Sequence, residues 1–104
     1  MSKLEDKVAL LVRHQAKAGQ RDRIQEIWKS FVQPKVISNT AHEQYFFCFD
    51  NNDPDVVCAF QIFSSKKALQ DFLASDSYPG YLAQVGEVIQ KAPEITEASI
   101  QWKK

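Results

Sequence analysis

Residues Val56 to Phe63 read VVCAFQIF, a run with apolar side chains at both odd and even positions that leads directly into an amphipathic helix pattern. Successive side chains of a strand point to opposite faces. Val57, Ala59, Gln61 and Phe63 therefore share one face, and Val56, Cys58, Phe60 and Ile62 share the other. A sheet packed on one side only would alternate apolar with polar residues, so both faces of this strand need cover. The run Val8 to Gln15, VALLVRHQ, repeats the pattern, with Val8, Leu10, Val12 and His14 set against Ala9 and Leu11.

Between these runs, Ile24, Ile27, Trp28, Phe31 and Val32 recur at helical spacing and predict a helix that packs by its Trp28 face, with Arg23, Gln25, Glu26 and Lys29 outside. Pro34 lacks a backbone donor and clashes with the preceding turn, which predicts a kink or restart, with Val36 and Ile37 as a short apolar continuation. Residues 43–49, EQYFFCF, read as a strand joined to Val56–Phe63 by the turn-forming residues 50–54. Ser64 or Ser65 is placed to cap a helix whose buried stripe is Ala68, Leu69, Phe72 and Leu73 and which ends near Ser75. Pro79 suits the first turn of a third helix with Tyr78, Tyr81, Leu82, Val85 and Ile89 inward, stopped at Ala92-Pro93. A last strand is expected over residues 95–102, alternating Ala98, Ile100 and Trp102 with Glu97, Ser99 and Gln101.

The order β-α-β-β-α-α-β predicts an α+β domain, a ferredoxin-like four-stranded antiparallel sheet with helices on one face. Its other face, with Leu11, Cys58, Phe60 and Ile62, would be a sticky patch in water. The simplest cover is a second copy stacked sheet to sheet, a dimeric α+β barrel. Each such side chain contributes about 1.5–3 kcal/mol when fully buried.

With 104 residues the chain is expected to be one domain, residues 1–104. Its 13 basic and 13 acidic side chains cancel, so nothing attracts nucleic acid or an acidic membrane surface. The basic-glycine-aromatic motif of RNA-recognition domains is absent despite Tyr45-Phe46-Phe47. No apolar run approaches the roughly 20 residues of a membrane span, and the start MSKLEDK lacks a signal-peptide core; a cytoplasmic location is the expectation. Cys48 and Cys58 lack zinc-site spacing and are expected as free thiols, although adjacent strands can bring them face to face. No metal is expected, since His42 has no second ligand at useful spacing.

The element order, the Lys17-Ala18-Gly19 turn and the segment Phe60 to Tyr81 resemble the antibiotic-biosynthesis monooxygenase family, including its quinol-monooxygenase-like small proteins, over residues 7–102. In that family a Tyr on the second strand commonly precedes a Glu-x-aromatic pair on the third by sixteen residues; here Tyr45 precedes Gln61-Ile62-Phe63 at that spacing. Ala68, Leu69, Leu73, Ser75 and Tyr78 match its packing positions, while Ser77, Phe72 and Ala41 stand where a His, a His and a Gly are frequent. Relatives that degrade haem carry an Asn, a Trp and a His at the positions of Val12, Phe63 and Leu82, none of which can ligate iron. No haem and no other cofactor is expected.

The resemblance implies a cofactor-independent monooxygenase, an oxidoreductase that binds an aromatic or quinol-like molecule between sheet and helices. It implies a substrate that loses a proton and passes an electron to oxygen. Matching Phe63 to the family's pocket-facing Trp turns Val12, His14, Tyr45 and Gln61 toward the helices. His14, with an ordinary pKa near 6.5, is a candidate base, or a surface histidine at a strand end. Tyr45 is a candidate donor to a substrate oxygen, and Gln61 orients substrate where a carboxylate would have been the base. Val12, Phe63, Phe72, Ser77, Tyr78 and Tyr81 are the candidate substrate-binding residues, or plain core in the case of the aromatic stripe. Arg13 points to the opposite face and is expected at a dimer contact. A rival reading is a non-catalytic dimeric small-molecule-binding or assembly module that kept the scaffold and lost the acid and the His.

Overall fold

The computed structural model describes residues 4–104. Four strands, β1 (Val8–Gln15), β2 (His42–Phe49), β3 (Val56–Phe63) and β4 (Glu94–Ser99), form one antiparallel sheet in the order β2-β3-β1-β4. β1 lies at its centre, Val8 opposite Phe63 and His14 opposite Val57 on one side, Val8 opposite Ser99 on the other. The helices α1 (Arg21–Phe31), α2 (Gln33–Ser38), α3 (Lys66–Leu73) and α4 (Ser77–Val85) cover a single face. This is the expected ferredoxin-like α+β architecture, and Pro34 divides the first helical segment in two by opening α2.

The two-faced strands fill the expected roles. Leu10, Val12, Val57, Ala59 and Phe63 are buried against Ile24, Ile27, Trp28, Leu69, Phe72 and Val85. On the other face Leu11, Phe60 and Phe46 are 37%, 45% and 57% exposed, which leaves a continuous apolar strip on the chain by itself. Arg13 lies on that face too, where its guanidinium reaches Glu94 of the same chain at 3.9 Å.

Local chemistry sets the joints. Ser65 Oγ accepts from the Ala68 N–H at 3.0 Å and caps α3. Gly19 turns the chain from β1 toward α1 at φ +77°, a conformation costly for other residues, and its N–H donates to Asp55 Oδ1 at 3.0 Å. Gly80 lets α4 approach α1, where an added Cβ would meet the Phe31 ring at 3.1 Å.

Two sequence expectations fail at the edges. α4 ends at Val85, not near Ile89, because the chain turns at Gly86 and pairs with the end of β1: Lys17 N–H donates to Val88 O and Gln90 N–H to Gln15 O. β4 stops at Ser99, so Ile100 and Trp102 are not strand residues, and Trp102 is 77% exposed. In α2, Val36 packs on the core but Ile37 points outward.

Candidate active site

The helix-facing side chains of β1, β2 and β3 meet Val32 and the aromatic residues of α4 around a small, partly enclosed chamber. Val12, His14, Tyr45, Phe47, Gln61, Tyr78 and Tyr81 are in its wall. The free space at their centre is about 10 Å³ counted as positions for a water centre, room for about one water. Six expected site residues, Val12, His14, Tyr45, Gln61, Tyr78 and Tyr81, are thus brought together. Phe63 and Phe72 stand behind them with ring centroids 5.6 Å apart, and Phe72 lies 5.4 Å from Tyr78. Ser77 is not at the chamber; its hydroxyl meets that of Ser75 at 3.2 Å on the wall of an outer cleft of about 460 Å³, which Phe72 also lines. Phe72 is therefore a partition one ring thick between the cleft and the inner aromatic cluster.

Polar atoms in this wall are unevenly satisfied. Trp28 Nε1–H donates to Tyr45 Oη at 2.9 Å, leaving the tyrosine's own proton to donate. His14 Nε2 and Tyr81 Oη share a hydrogen bond of 2.9 Å, yet His14 Nδ1 has no partner. Gln61 Oε1 and Tyr78 Oη are likewise buried and unpartnered. A buried polar group without a partner costs about 1–3 kcal/mol, so three around one chamber are a concentrated expense.

His14 is 3% exposed, which overturns the reading of a surface histidine at a strand end. Alternation gives a side chain its face but not its cover, and Tyr81 of α4 lies over this end of β1. Burial lowers its pKa to about 4, so at neutral pH the ring is uncharged and a weaker base than its ordinary value implies. Burial also raises the tyrosine hydroxyls of residues 45, 78 and 81, keeping them protonated as donors.

His42 was not foreseen in this cluster. Counting by twos places it opposite Tyr45, but an irregularity between His42 and Gln44 adds a residue to β2 and turns both rings to the helix side. His42 is 5% exposed, stacked on Phe63 at 4.0 Å with Tyr45 at 5.3 Å. Both its ring nitrogens are unpartnered. Burial lowers its pKa to about 4; Gln61 stands near enough to oppose this in part, without closing a hydrogen bond of good geometry.

These two rings predict an acid-labile fold. As pH falls through 6.5 the unfolded chain protonates both histidines, whereas the folded chain does so only near 4. The stability they contribute is whole above pH 6.5 and lost between 6.5 and 4, at most about 3 kcal/mol for each ring. Urea midpoints of wild type and His42→Phe should diverge as pH is lowered from 7 to 4.5, with the variant holding stability better and lying within about 1.5 kcal/mol of wild type at pH 7. Parallel curves would mean that His42 titrates normally in the folded state.

No family model matches the sequence, and no curated protein matches it; the likeness is to solved structures. A provisionally named antibiotic biosynthesis monooxygenase from Chloroflexus aurantiacus is 21% identical, with TM-score 0.77 over 94% of this chain and 96% of its own. One similarly named from Nitrosomonas europaea reaches TM-score 0.85 at 9% identity, over 98% and 97%. A conserved protein from Methanosarcina mazei gives 0.83 at 14% identity, over 91% and 93%. This chain has their fold. At such identities the likeness concerns the backbone, and the chamber's chemistry has to be read from this chain's own side chains. Among the described residues no group of three His, Cys, Asp or Glu side chains is arranged to hold a metal ion, and no helix is long and apolar enough to cross a membrane.

Proposed function

We propose that the chain is a cofactor-independent monooxygenase of the cytoplasm, acting on an aromatic or quinol-like small molecule held between sheet and helices. The observation that carries this reading is the set of buried, unpartnered polar atoms, His14 Nδ1, Gln61 Oε1 and Tyr78 Oη, around one otherwise apolar and aromatic chamber. A flat ligand bearing hydroxyl or carbonyl groups would answer those atoms and stack on the surrounding rings. The names of two of the structural neighbours support the same class.

In this reading Tyr45 and Tyr78 donate to substrate oxygens and Gln61 fixes their orientation. His14, braced by Tyr81, takes the phenolic proton. Its low pKa makes the imidazolium costly until a phenolate forms beside it, because the opposite charge then favours the protonated ring. The electron-rich anion passes an electron to dioxygen in a site screened from bulk water. Ligand pockets run to roughly 300–1,000 Å³ and the chamber has room for about one water, so the ligand enters from the outer cleft as Phe72 and then Tyr78 swing aside and widen it.

A second reading, a non-catalytic binding module, is favoured by one specific feature: Gln61 cannot accept a proton where a carboxylate could. One experiment separates the two. Oxygen uptake is followed over a panel of quinols and polycyclic phenols with wild type, Tyr45→Phe and His14→Ala. The monooxygenase reading predicts turnover that falls about 10²-fold or more in His14→Ala, with a smaller loss in Tyr45→Phe. Tight binding without uptake selects the binding module; uptake equal in all three proteins rejects the assigned residues.

We also propose that two copies associate through the open sheet face. Phe46 and Phe60 project from it, and beside Phe60 lies a hollow of about 220 Å³ bordered by Leu11, Arg13, Cys58 and Thr96. Projection and hollow on one face are what a twofold, self-complementary interface requires.

A further inference from the structure

We propose that Cys48 and Cys58 form a cross-strand dithiol that closes reversibly to a disulfide, a modification site on the sheet face opposite the helices. Both thiols are free and half-buried, and the β2–β3 register sets them directly opposite each other. The ladder decides how well they can join. Asp50 N–H donates to Val56 O at 3.1 Å, which makes residues 50 and 56 a hydrogen-bonded pair, and such pairs recur every second residue. Residues 48 and 58 are therefore another.

Cα atoms of a hydrogen-bonded pair stand about 5.5 Å apart, inside the range of roughly 4.4–6.8 Å that disulfides span. Their Cβ atoms stand about 4.5–5.5 Å apart, against about 3.8 Å in a relaxed disulfide. The bond can form, but only by drawing the strands together by roughly 1 Å. The hairpin resists this. Arg21 Nη1 donates to Asp50 O and Asp53 O, each at 3.0 Å, and its guanidinium sits 4.0 Å over the Phe49 ring. A disulfide held under such tension is readily reduced, which suits a reversible modification and not a permanent staple.

The oxidant is a small-molecule disulfide. One cysteine thiolate attacks it and releases a small thiolate; the second cysteine attacks the mixed disulfide, forms the Cys48–Cys58 bond and releases the other. The protein gives up two protons and two electrons, and the oxidant leaves as two thiols. Burial and then the Asp50 carboxylate push the Cys58 thiol up, with Arg13 opposing, so Cys58 suits the second attack. Phe46 and Phe60 lie two positions along on the face assigned above to a second copy, so the reaction is best carried to equilibrium in dilute protein.

The test equilibrates the whole chain overnight in glutathione mixtures of increasing oxidation, followed by alkylation and mass spectrometry. An unalkylated species about 2 Da lighter than the reduced chain is expected to accumulate and to revert with dithiothreitol. Cys48→Ser and Cys58→Ser should each take up a single glutathione instead. A wild-type chain that keeps two alkylated thiols in the most oxidising mixture, or carries glutathione with no internal bond, would overturn the assignment.

Discussion

Replacing Phe63 with alanine is expected to cost about 3–5 kcal/mol, the largest stability loss of any substitution considered. Phe63 is 0% exposed, pairs with His42 at one register position and Val8 at the other, stacks on His42 and lies 5.6 Å from Phe72. Removing its ring leaves a cavity bounded by two strands that cannot move together without breaking their ladders, so little of the loss is recovered by collapse. It also strands His42, whose unpartnered nitrogens would then face the void. Against a typical domain stability of about 5–15 kcal/mol, the variant should be largely unfolded by modest urea, as circular dichroism would show. A midpoint shift worth less than about 1 kcal/mol would mean that the ring is not the keystone its contacts indicate.

The second large effect concerns assembly. Phe60 is 45% exposed at the middle of the open face, near Leu11 and Phe46. If a second copy covers it, Phe60→Glu places a charge in a desolvated interface and a second, like charge across the twofold axis. Light scattering should give a dimer for wild type at micromolar concentration and a monomer for the variant. Because Phe60 points away from the chamber, the variant monomer should keep its helical circular dichroism unless the dimer is needed for folding. A wild-type monomer at the same concentration would contradict the assembly outright.

Much of the fold was legible because its central strands are apolar on both faces and bounded by turn residues: β1 and β3 run from Val8 to Gln15 and from Val56 to Phe63 in sequence and structure alike. Ser65 and Pro79 marked helix starts for reasons local to the chain. The failures have different causes, and at α4 the cause is long-range pairing. Ile89 continues the α4 stripe in sequence, yet it bridges to Ala16 at the end of β1, and periodicity carries no information about that partner. His42 was missed because an inserted residue in β2 shifts the alternation, and nothing in EQYFFCF announces it. The wall of the chamber, by contrast, followed for Val12, His14, Tyr45 and Gln61 from strand alternation together with the family resemblance that set Phe63 toward the helices. Their burial did not, since that depends on where the helices lie.

Binding of an aromatic ligand in this chamber is what the proposed function requires. It is tested most directly by titrating isotope-labelled protein with a soluble phenol, such as a naphthol, and mapping the side-chain resonances that move. Shifts are expected at the Gln61 amide group, the His14 ring and the Tyr78 ring, with Phe72 exchanging between two environments as the partition opens. Shifts confined to Leu11, Phe46 and Phe60 on the open face, with the chamber residues unmoved at saturating ligand, would contradict that binding.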